Sequence, residues 1–335
     1  MKIAYIMKAD ACYNGSVDGT RKQAEIWQEE LAGRGHEVDL ISPWGSYDWQ
    51  SYDIVHVFGL GLWNYDMIHW GSGMNPNIVF SPIIDSNTPM WQYRLFSRIG
   101  SRRLRLFSQN YGLRCLRGDV RLFLARTRHE ADYLRRGYGI EEEKVSIVPL
   151  SYRADHYDAS VAKEPFCLFA GTMTQERKNV PRLIEAARRR GFRLVLAGSM
   201  GNAASEARIR QMAGGAANIE IRGFVSDAEL CSLYNRAKVF ALPSLNEGVG
   251  LVALEAAVHG CNIVITRLGG PKEYYGEGEA WLADPYSVDD IGRCVTEALA
   301  ADNVQPALRS EIIRKYSVKA CVDLLERNYA TAAMR

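Results

Sequence analysis

Short apolar segments typical of buried strands alternate with longer helix-like segments along almost the whole chain. The predicted strands cover residues 2–7, 37–41, 53–58, 77–81, 121–125, 145–149, 166–170, 193–197, 218–222, 238–242 and 262–266. The predicted helices cover residues 20–33, 89–107, 128–137, 179–190, 203–213, 226–236, 249–259, 287–300 and 317–330. This alternation is typical of α/β folds with parallel sheets, because parallel strands need a crossover connection that is usually helical.

The same pattern divides the chain into two parts. It lapses in a polar stretch between about 150 and 165 and then restarts with a second series of strands and helices. A length of 335 residues is enough for two ordinary domains. The sequence therefore predicts an N-terminal domain over residues 1–158 and a C-terminal domain over residues 159–316.

Composition narrows the class of protein. The residues are 47% apolar, and the formal net charge of +2 argues against wholesale nucleic-acid binding. The seven cysteines include no Cys-x-x-Cys pair, which favours reduced packing residues of a cytoplasmic protein over disulfides or a zinc site. No apolar run approaches the roughly 18 residues that a membrane-spanning helix needs.

Residues 243–255 carry the pattern with the most chemistry. Glu247 lies in a turn between a predicted strand and a predicted helix, and Glu255 follows within that apolar helix. Open α/β sheets bind ligands at the carboxyl ends of their strands, where backbone N–H groups at Gly248 to Gly250 would be free to contact an anion. At about 1.5 Å of rise per residue the two carboxylates lie roughly 10–12 Å apart. They cannot share a proton or a metal ion, but they suit an extended ligand such as a nucleotide-diphosphate sugar.

The second half of the chain resembles the donor domain of retaining glycosyltransferases of family 4, which have the GT-B fold. The similarity rests on Phe169–Asn179, Gly223–Val225, Leu230–Val239, the Glu247 and Glu255 pair, Gly260–Val264 and Leu268–Glu273. The first half resembles the same enzymes more loosely, through Asn14–Gly19, Gly33–Val38 and Asp53–Val57. The resemblance implies two doubly wound Rossmann-like α/β domains that face each other across a cleft, with a C-terminal helix over 317–335 that packs back on the first domain.

The resemblance also implies roles for individual residues. Lys178 and Arg177 would stabilise the negative charge that develops on the departing diphosphate. Glu247 would face the transferred sugar, and Glu255 would accept hydrogen bonds from the ribose hydroxyls. The other residues implied in donor binding are Gly15, Gly19, Gly171, Thr172, Phe224, Val225, Gly248, Val249, Gly250, Leu251, Gly270 and Glu273. A structural salt bridge for Glu255 and a plain helix-terminal acid at Glu247 remain as alternatives.

The chain departs from the family pattern in two places. Thr172 stands where the family has an arginine, so we expect Arg177 to supply that positive charge. No histidine follows the fourth strand, which leaves Asp85 as the candidate acceptor-side base or orienting group. His56 lies within an apolar strand and is interpreted as a core histidine rather than a catalyst.

A basic segment runs from Arg94 to Arg136, with twelve arginines and only three acidic residues among large apolar side chains. Such a segment can be a solvated basic face, or it can dock peripherally on an anionic membrane and so reach a lipid-linked acceptor. Nucleic acid is not an expected partner, because the rest of the chain is net acidic and contains no recognition module.

These observations together lead to an expected activity. The chain should transfer a hexose from a nucleotide-diphosphate sugar to a hydroxyl of a saccharide or lipid-linked glycan during surface polysaccharide or glycoconjugate synthesis. UDP-sugars are the favoured donors, and GDP-mannose remains an alternative. We expect the anomeric configuration to be retained and no metal or other cofactor to be essential. Two alternatives remain, a non-catalytic subunit of the same fold that binds nucleotide sugars, and an epimerase that acts on the nucleotide sugar itself.

Overall fold

The computed structural model describes residues 1–7, 19–42, 44–101, 103–104, 106–153, 156–302 and 307–334. Contacts divide the chain into unit 1, which comprises Met1–Ser151 and Val318–Arg335, and unit 2, which comprises Tyr152–Ser317. The division lies between residues 151 and 152, whereas the sequence pattern placed it between 158 and 159. Among the described residues in between, Asp158 bonds to unit 2, since its N–H donates to Asn235 Oδ1 at 3.2 Å.

Unit 1 is built on a six-stranded parallel sheet with the strand order β2-β1-β3-β4-β5-β6. Its strands are β1 (Lys2–Ile6), β2 (Glu37–Leu40), β3 (Ile54–Phe58), β4 (Ile78–Ser81), β5 (Leu122–Ala125) and β6 (Val145–Ile147). Its first helices are α1 (Gly19–Gly33), α2 (Leu62–Gly71), α3 (Met90–Phe96), α4 (Gln109–Cys115) and α5 (Arg128–Asp132). The central strands β1, β3, β4 and β5 are almost wholly buried, as expected for a parallel sheet covered on both faces, whereas the edge strands β2 and β6 are partly exposed.

Unit 2 contains a second six-stranded parallel sheet, with the order β12-β11-β10-β7-β8-β9. Its strands are β7 (Glu164–Ala170), β8 (Arg193–Ala197), β9 (Ile219–Gly223), β10 (Ala237–Leu242), β11 (Asn262–Thr266) and β12 (Trp281–Ala283). Its helices are α6 (Val180–Arg190), α7 (Ala203–Ala213), α8 (Asp227–Arg236), α9 (Leu251–Val258), α10 (Val288–Ala300) and α11 (Ala307–Tyr316). The strand order reverses between β7 and β10, and the crevice at such a reversal is where doubly wound sheets bind ligands.

The last helix, α12 (Val318–Met334), returns to unit 1. Arg34 Nη1 donates to Asp323 Oδ1 at 2.6 Å, and the Tyr329 hydroxyl lies 2.6 Å from His56 Nδ1 in the centre of the sheet. The second nitrogen of His56 lies 2.8 Å from Ser81 Oγ. His56 is therefore a fully buried, hydrogen-bonded core residue, which confirms its interpretation from the sequence.

This buried histidine makes the stability of unit 1 depend on pH. Burial lowers the pKa of His56 from 6.5 to about 3, so the folded chain stays neutral there while the unfolded chain takes up a proton below about pH 6.5. We expect His56 to lower the free energy of unfolding by up to about 1.4 kcal/mol for each pH unit below that value. The free energy of unfolding, measured in urea at several values between about pH 7.5 and 5, should fall less steeply with decreasing pH in His56→Gln than in the parent chain. An equal pH dependence in both proteins would contradict this account.

The helix predicted over residues 89–107 is wrong. Helix α3 ends at Phe96, and beyond it Ser101 and Leu106 form an antiparallel bridge with 3.0 Å backbone hydrogen bonds in both directions. A separate helix, α4, begins only after the predicted range, where the Ser108 hydroxyl accepts a hydrogen bond from the Tyr111 N–H at 3.1 Å. The apolar residues that suggested one continuous helix are thus divided between α3 and the bridged segment that follows it.

Four elements were not predicted, namely α2, α4, β12 and α11. Helix α2 begins after Gly61, which has no side chain to cap it, so the usual start signal is missing from the sequence. Within the described ranges, no helix is both long enough and apolar enough to cross a membrane.

Candidate functional site

The loops that follow β7 and β10 lie side by side at one edge of the second sheet. The two strands are parallel neighbours, with Cys167 opposite Val239 and Leu168 opposite Phe240. Their carboxyl ends therefore meet at the same edge, where the strand order reverses. The β7 loop brings two cations to this edge and the β10 loop brings Glu247.

Backbone and amide hydrogen bonds fix these two loops to each other. The Leu245 N–H donates to the Arg177 carbonyl at 2.7 Å. Asn179 Nδ2 donates to the carbonyls of Pro243 at 2.9 Å and Pro285 at 2.7 Å. Asn179 adopts the left-handed conformation, with φ of 62°, and so ends the short 3₁₀ turn that carries the cations immediately before α6 begins. The positions of the charged side chains are set by this bonded frame.

Both predicted cations converge on Glu247. The Lys178 ammonium donates to Glu247 Oε2, and Arg177 Nη1 lies 3.2 Å from the same oxygen. The Lys178 and Glu247 side chains are only 11% and 10% exposed, whereas Arg177 is 39% exposed. A charge this deeply buried needs a partner, and here one carboxylate serves two cations. The cluster therefore keeps an excess of positive charge.

The loop after Glu247 offers backbone donors. Gly250 adopts a left-handed conformation, with φ of 78°, and helix α9 begins at Leu251 without a side-chain cap. Across the part of the chain that the structure describes, the N–H groups of Gly248, Val249 and Gly250 donate no hydrogen bond. Together with the open N-terminus of α9, they form the kind of donor group that binds anions.

Glu255 lies within α9 and is almost fully buried, but it already has protein partners. Arg153 Nε donates to one carboxylate oxygen at 2.5 Å, and the Tyr234 hydroxyl donates to the other at 3.5 Å. Burial, and then the charge of Glu255, raises the pKa of Tyr234 well above its usual value. The structure thus shows the salt bridge that the sequence left open as an alternative. Arg153 was not predicted, and its distance of 102 residues along the chain gave no signal.

Three glycines, Gly171, Gly198 and Gly223, leave the neighbouring part of this edge without side chains. The Gly171 N–H donates to the Ala197 carbonyl at 3.0 Å, and the Gly198 N–H donates to the Gly223 carbonyl at 2.6 Å. A Cβ atom on Gly198 would lie 2.0 Å from the Gly171 oxygen. Gly171 was predicted as a site residue and Gly198 was missed, although a glycine directly after a strand is a recognisable signal.

The remaining predicted residues of unit 2 also follow strands of this sheet. Thr172 is half-buried after β7, and Phe224 and Val225 follow β9, with the Phe224 ring 85% exposed. Gly270 precedes a short 3₁₀ turn after β11, in which the Glu273 N–H donates to the Gly270 carbonyl at 3.0 Å. Because all the strands are parallel, these residues share the carboxyl edge with Lys178 and Glu247.

The candidate residues of unit 1 are fewer. Asp85 Oδ1 accepts a hydrogen bond from Arg126 at 2.7 Å, and Arg126 also bonds the buried Glu130 at 2.8 Å. Burial lowers the pKa of Arg126, but the charges of Glu130 and Asp85 outweigh it and raise the pKa overall. Gly19 is the first residue of α1, and Gly15 lies outside the described residues.

Asp85 borders a pocket of about 650 Å³. The pocket is lined by loops after β3 and β4 and by α3 and α4, with the residues Gly59, Leu60, Gly61, Leu62, Trp63, Asn64, Ile83, Ile84, Asp85, Tyr93, Gln109, Asn110 and Tyr138. Asn64 Nδ2 donates to the Phe58 and Gly59 carbonyls at 2.8 and 2.6 Å. Its buried Oδ1 accepts no hydrogen bond from the described residues. Asn64 thus contributes to the pocket lining while its amide oxygen stays buried.

Among the residues that the structure covers, no three His, Cys, Asp or Glu side chains lie close enough together to hold a metal ion. Whether the reaction needs a metal ion stays a prediction from the sequence.

Comparison with known proteins finds a family that matches the segment of the chain containing this edge. Residues 156–315 match the family described as Glycosyl transferases group 1, and this segment contains Lys178, Glu247 and Glu255. A 74-residue stretch of the chain is 42% identical to a D-inositol 3-phosphate glycosyltransferase of Corynebacterium urealyticum, over 21% of this chain and 18% of that protein. The chain therefore matches well under two thirds of the length of that curated relative.

Solved structures with the GT-B fold match both units of the chain. The sucrose-phosphate synthase of Thermosynechococcus elongatus superposes with a TM-score of 0.74 at 16% identity, over 98% of both chains. Anabaena HepE, solved in complex with UDP and glucose, superposes with a TM-score of 0.66 at 15% identity, over 99% of this chain and 100% of that one. At these identities the likeness concerns the fold alone, and it confirms two doubly wound Rossmann-like α/β domains.

Proposed function

We propose that the chain is a retaining family 4 glycosyltransferase that moves a hexose from a nucleotide-diphosphate sugar to a hydroxyl group. The observation that carries this proposal is the convergence of Lys178 and Arg177 on Glu247 at the point where the strand order of the group 1 domain reverses. The glycosyltransferase activity itself is part of the proposal.

In the proposed reaction, the diphosphate binds against the two cations and the free N–H groups at Gly248–Gly250. The leaving phosphate gains negative charge as the bond to the sugar breaks, so contacts with Lys178 and Arg177 are stronger in the transition state than in the ground state. A buried ammonium and a bonded loop frame are already in place before the donor arrives, which lowers the reorganisation that the reaction needs.

Glu247 has two roles in this proposal. Without a donor it neutralises Lys178, which would otherwise be a buried and unpaired cation. With a donor bound, the diphosphate takes over the cations and the carboxylate can contact the hydroxyls of the sugar and the positive charge that develops at its anomeric carbon. The acceptor oxygen then attacks from the side of the departing phosphate, whose oxygen takes the proton of the acceptor hydroxyl.

The nucleoside would lie further along the same edge. We propose that the ribose hydroxyls donate to Glu255 while Arg153 keeps its hydrogen bond to that carboxylate, since an ionised carboxylate has about four acceptor positions. The exposed ring of Phe224 and the backbone at Val225 would contact the base. Glu273, and the turn at Gly270, would contact the sugar or its phosphate.

The pocket of unit 1 would bind the acceptor. Asp85, which borders the pocket, can orient an acceptor hydroxyl. Polar amides interleaved with the aromatic rings of Trp63, Tyr93 and Tyr138 suit a saccharide, which has both hydroxyl groups and apolar faces. A saccharide or lipid-linked glycan is therefore the proposed class of acceptor, and polysaccharide or glycoconjugate synthesis the proposed role.

We prefer UDP-sugars as donors, with GDP-mannose second. HepE, whose fold this chain shares, was solved with UDP and glucose, which supports the choice but concerns that protein. We also propose that no metal ion is essential, because two cations and a row of backbone donors can stabilise the leaving diphosphate.

The test is release of nucleoside diphosphate from UDP-, GDP- and ADP-sugars by the purified chain, with and without simple glycoside acceptors, in buffer that contains a chelator. We expect one donor to be turned over, slowly with water and faster with an acceptor, and the anomeric configuration of the product to match that of the donor. Absence of turnover with every donor would contradict the proposed activity. Conversion of one sugar nucleotide into another without acceptor would show an epimerase instead.

A further inference from the structure

The first unit carries an exposed surface that is both apolar and basic, and the donor site does not use it. Six of the fifteen exposed large apolar side chains in the described residues lie within sixteen residues of sequence. These are Trp91, Leu95, Phe96, Ile99, Leu104 and Leu106, of which Trp91 is 63% and Leu104 72% exposed. Contiguous exposed apolar patches on a folded protein mark places where it meets another apolar phase.

Helix α3 shows why these side chains point outward. Its inner face packs on unit 1, where the Tyr93 ring lies 4.6 Å from that of Tyr133 and Ser97 Oγ donates to the Gly137 carbonyl at 3.2 Å. The opposite face presents Trp91, Arg94 and Leu95 at positions i, i+3 and i+4, which lie together on a helix surface, and Arg98 follows in the turn after the helix. Apolar and basic side chains thus share one solvent-facing stripe.

The arginines around this stripe have no acidic partners. Within the described ranges, none of Arg98, Arg103, Arg114 and Arg117 forms an ion pair with a carboxylate. Burial, and then repulsion by Arg117 and Arg98, lowers the pKa of Arg114, which shows that these charges lie close together. By contrast, Arg126, Arg135 and Arg136 of the same basic segment each pair with an acid. Residues 102 and 105, also arginines, lie outside the described residues.

We propose that this surface, formed by the six apolar residues above with Arg98, Arg103, Arg114 and Arg117, docks unit 1 on an anionic lipid bilayer. Trp, Leu, Phe and Ile would enter the headgroup boundary while the unpaired arginines meet lipid phosphates. A bilayer is favoured over a protein partner because the basic charge is uniform and uncompensated, and charge of one sign is what an anionic membrane presents.

The surface adjoins the pocket of unit 1. Helix α3 supplies Tyr93 to the pocket wall and Trp91 to the surface, and Gln109 of the pocket wall lies three residues after the exposed Leu106. An acceptor held in the membrane by a lipid could therefore place its glycan in the pocket. The docking itself does not depend on the proposed activity.

The test is co-sedimentation of the whole chain with vesicles of phosphatidylcholine alone or mixed with phosphatidylglycerol. We expect binding only to the anionic vesicles, and weaker binding as salt rises. The double variant Arg98→Gln/Arg117→Gln should lower the partition coefficient about 30-fold, since each arginine at such a surface contributes about 1 kcal/mol. Trp91→Ser/Leu104→Ser should lower it as well.

Matched controls remove the same groups elsewhere. Arg208→Gln/Arg327→Gln removes two exposed arginines outside the surface, and Leu282→Ser/Met334→Ser removes two exposed apolar side chains. Both should bind like the parent chain. Equal binding to neutral vesicles, equal loss in the controls, or binding to duplex DNA in place of anionic vesicles would overturn the proposal. Donor turnover in solution is measured on the same preparations, so a failed donor site and a failed docking surface are told apart.

Discussion

Lys178→Ala is expected to lower kcat for sugar transfer by about 10²–10³-fold, which corresponds to about 3–4 kcal/mol of lost transition-state stabilisation. The ammonium is buried beside Glu247 in a loop held by hydrogen bonds from Leu245 and Asn179. Water that fills the space in the variant would not restore the positive charge. The fold should survive, because Glu247 keeps Arg177 and Ser244 as partners. The measurement is steady-state release of nucleoside diphosphate.

Two further variants make this result specific. Lys319→Ala removes an exposed lysine from α12 and should keep full activity. Lys178→Arg keeps the charge but changes its shape, so it should recover only part of the lost rate. If Lys178→Ala has the stability of the parent chain and a kcat within about threefold of the parent value, Lys178 does not stabilise the transition state.

Gly198→Ala is expected to destabilise unit 2 by about 3 kcal/mol or more. The new Cβ would lie 2.0 Å from the Gly171 oxygen. Residue 198 also has a φ of 129°, which residues other than glycine rarely adopt. Overpacking and backbone strain each cost about 1–3 kcal/mol. The strands cannot separate freely, because Gly198 donates to Gly223 and Gly171 donates to Ala197. Urea unfolding measures the loss.

The matched control is Gly33→Ala, at the end of α1. A Cβ there meets no atom within 4 Å and the φ angle is not positive, so the change should alter stability by less than about 1 kcal/mol. If Gly198→Ala unfolded at the same urea concentration as Gly33→Ala, the close approach of β7 and β8 at this edge would be wrong. The proposed donor site would then lack the close backbone approach of Gly171 and Gly198 beside it.

Local sequence was sufficient for most of the second sheet. Its first five strands were predicted to within two residues at either end because each is a short apolar run bounded by turns. Lys178 and Glu247 were predicted from separate loops, and the structure brings them into direct contact. Their proximity has a physical basis, since the carboxyl ends of parallel strands must share one edge.

Contacts between distant residues could not be predicted in this way. The pairing of Arg153 with Glu255 and the approach of Gly198 to Gly171 depend on how loops and strands are placed in three dimensions. The break between α3 and α4 was missed for another reason. Its residues are apolar enough for a helix, but Ser101 and Leu106 pair across a turn and Ser108 starts a new helix.

Amide hydrogen exchange of the whole chain, with and without saturating UDP or GDP, tests the central claim most directly. If a nucleotide diphosphate binds at the edge formed by the loops after β7 and β10, exchange should slow in peptides that cover residues 171–179 and 244–255. The free N–H groups of Gly248, Val249 and Gly250 would gain phosphate acceptors and should show the largest change. Slowed exchange confined to other parts of the chain, or no change at saturation with either nucleotide, would contradict the account.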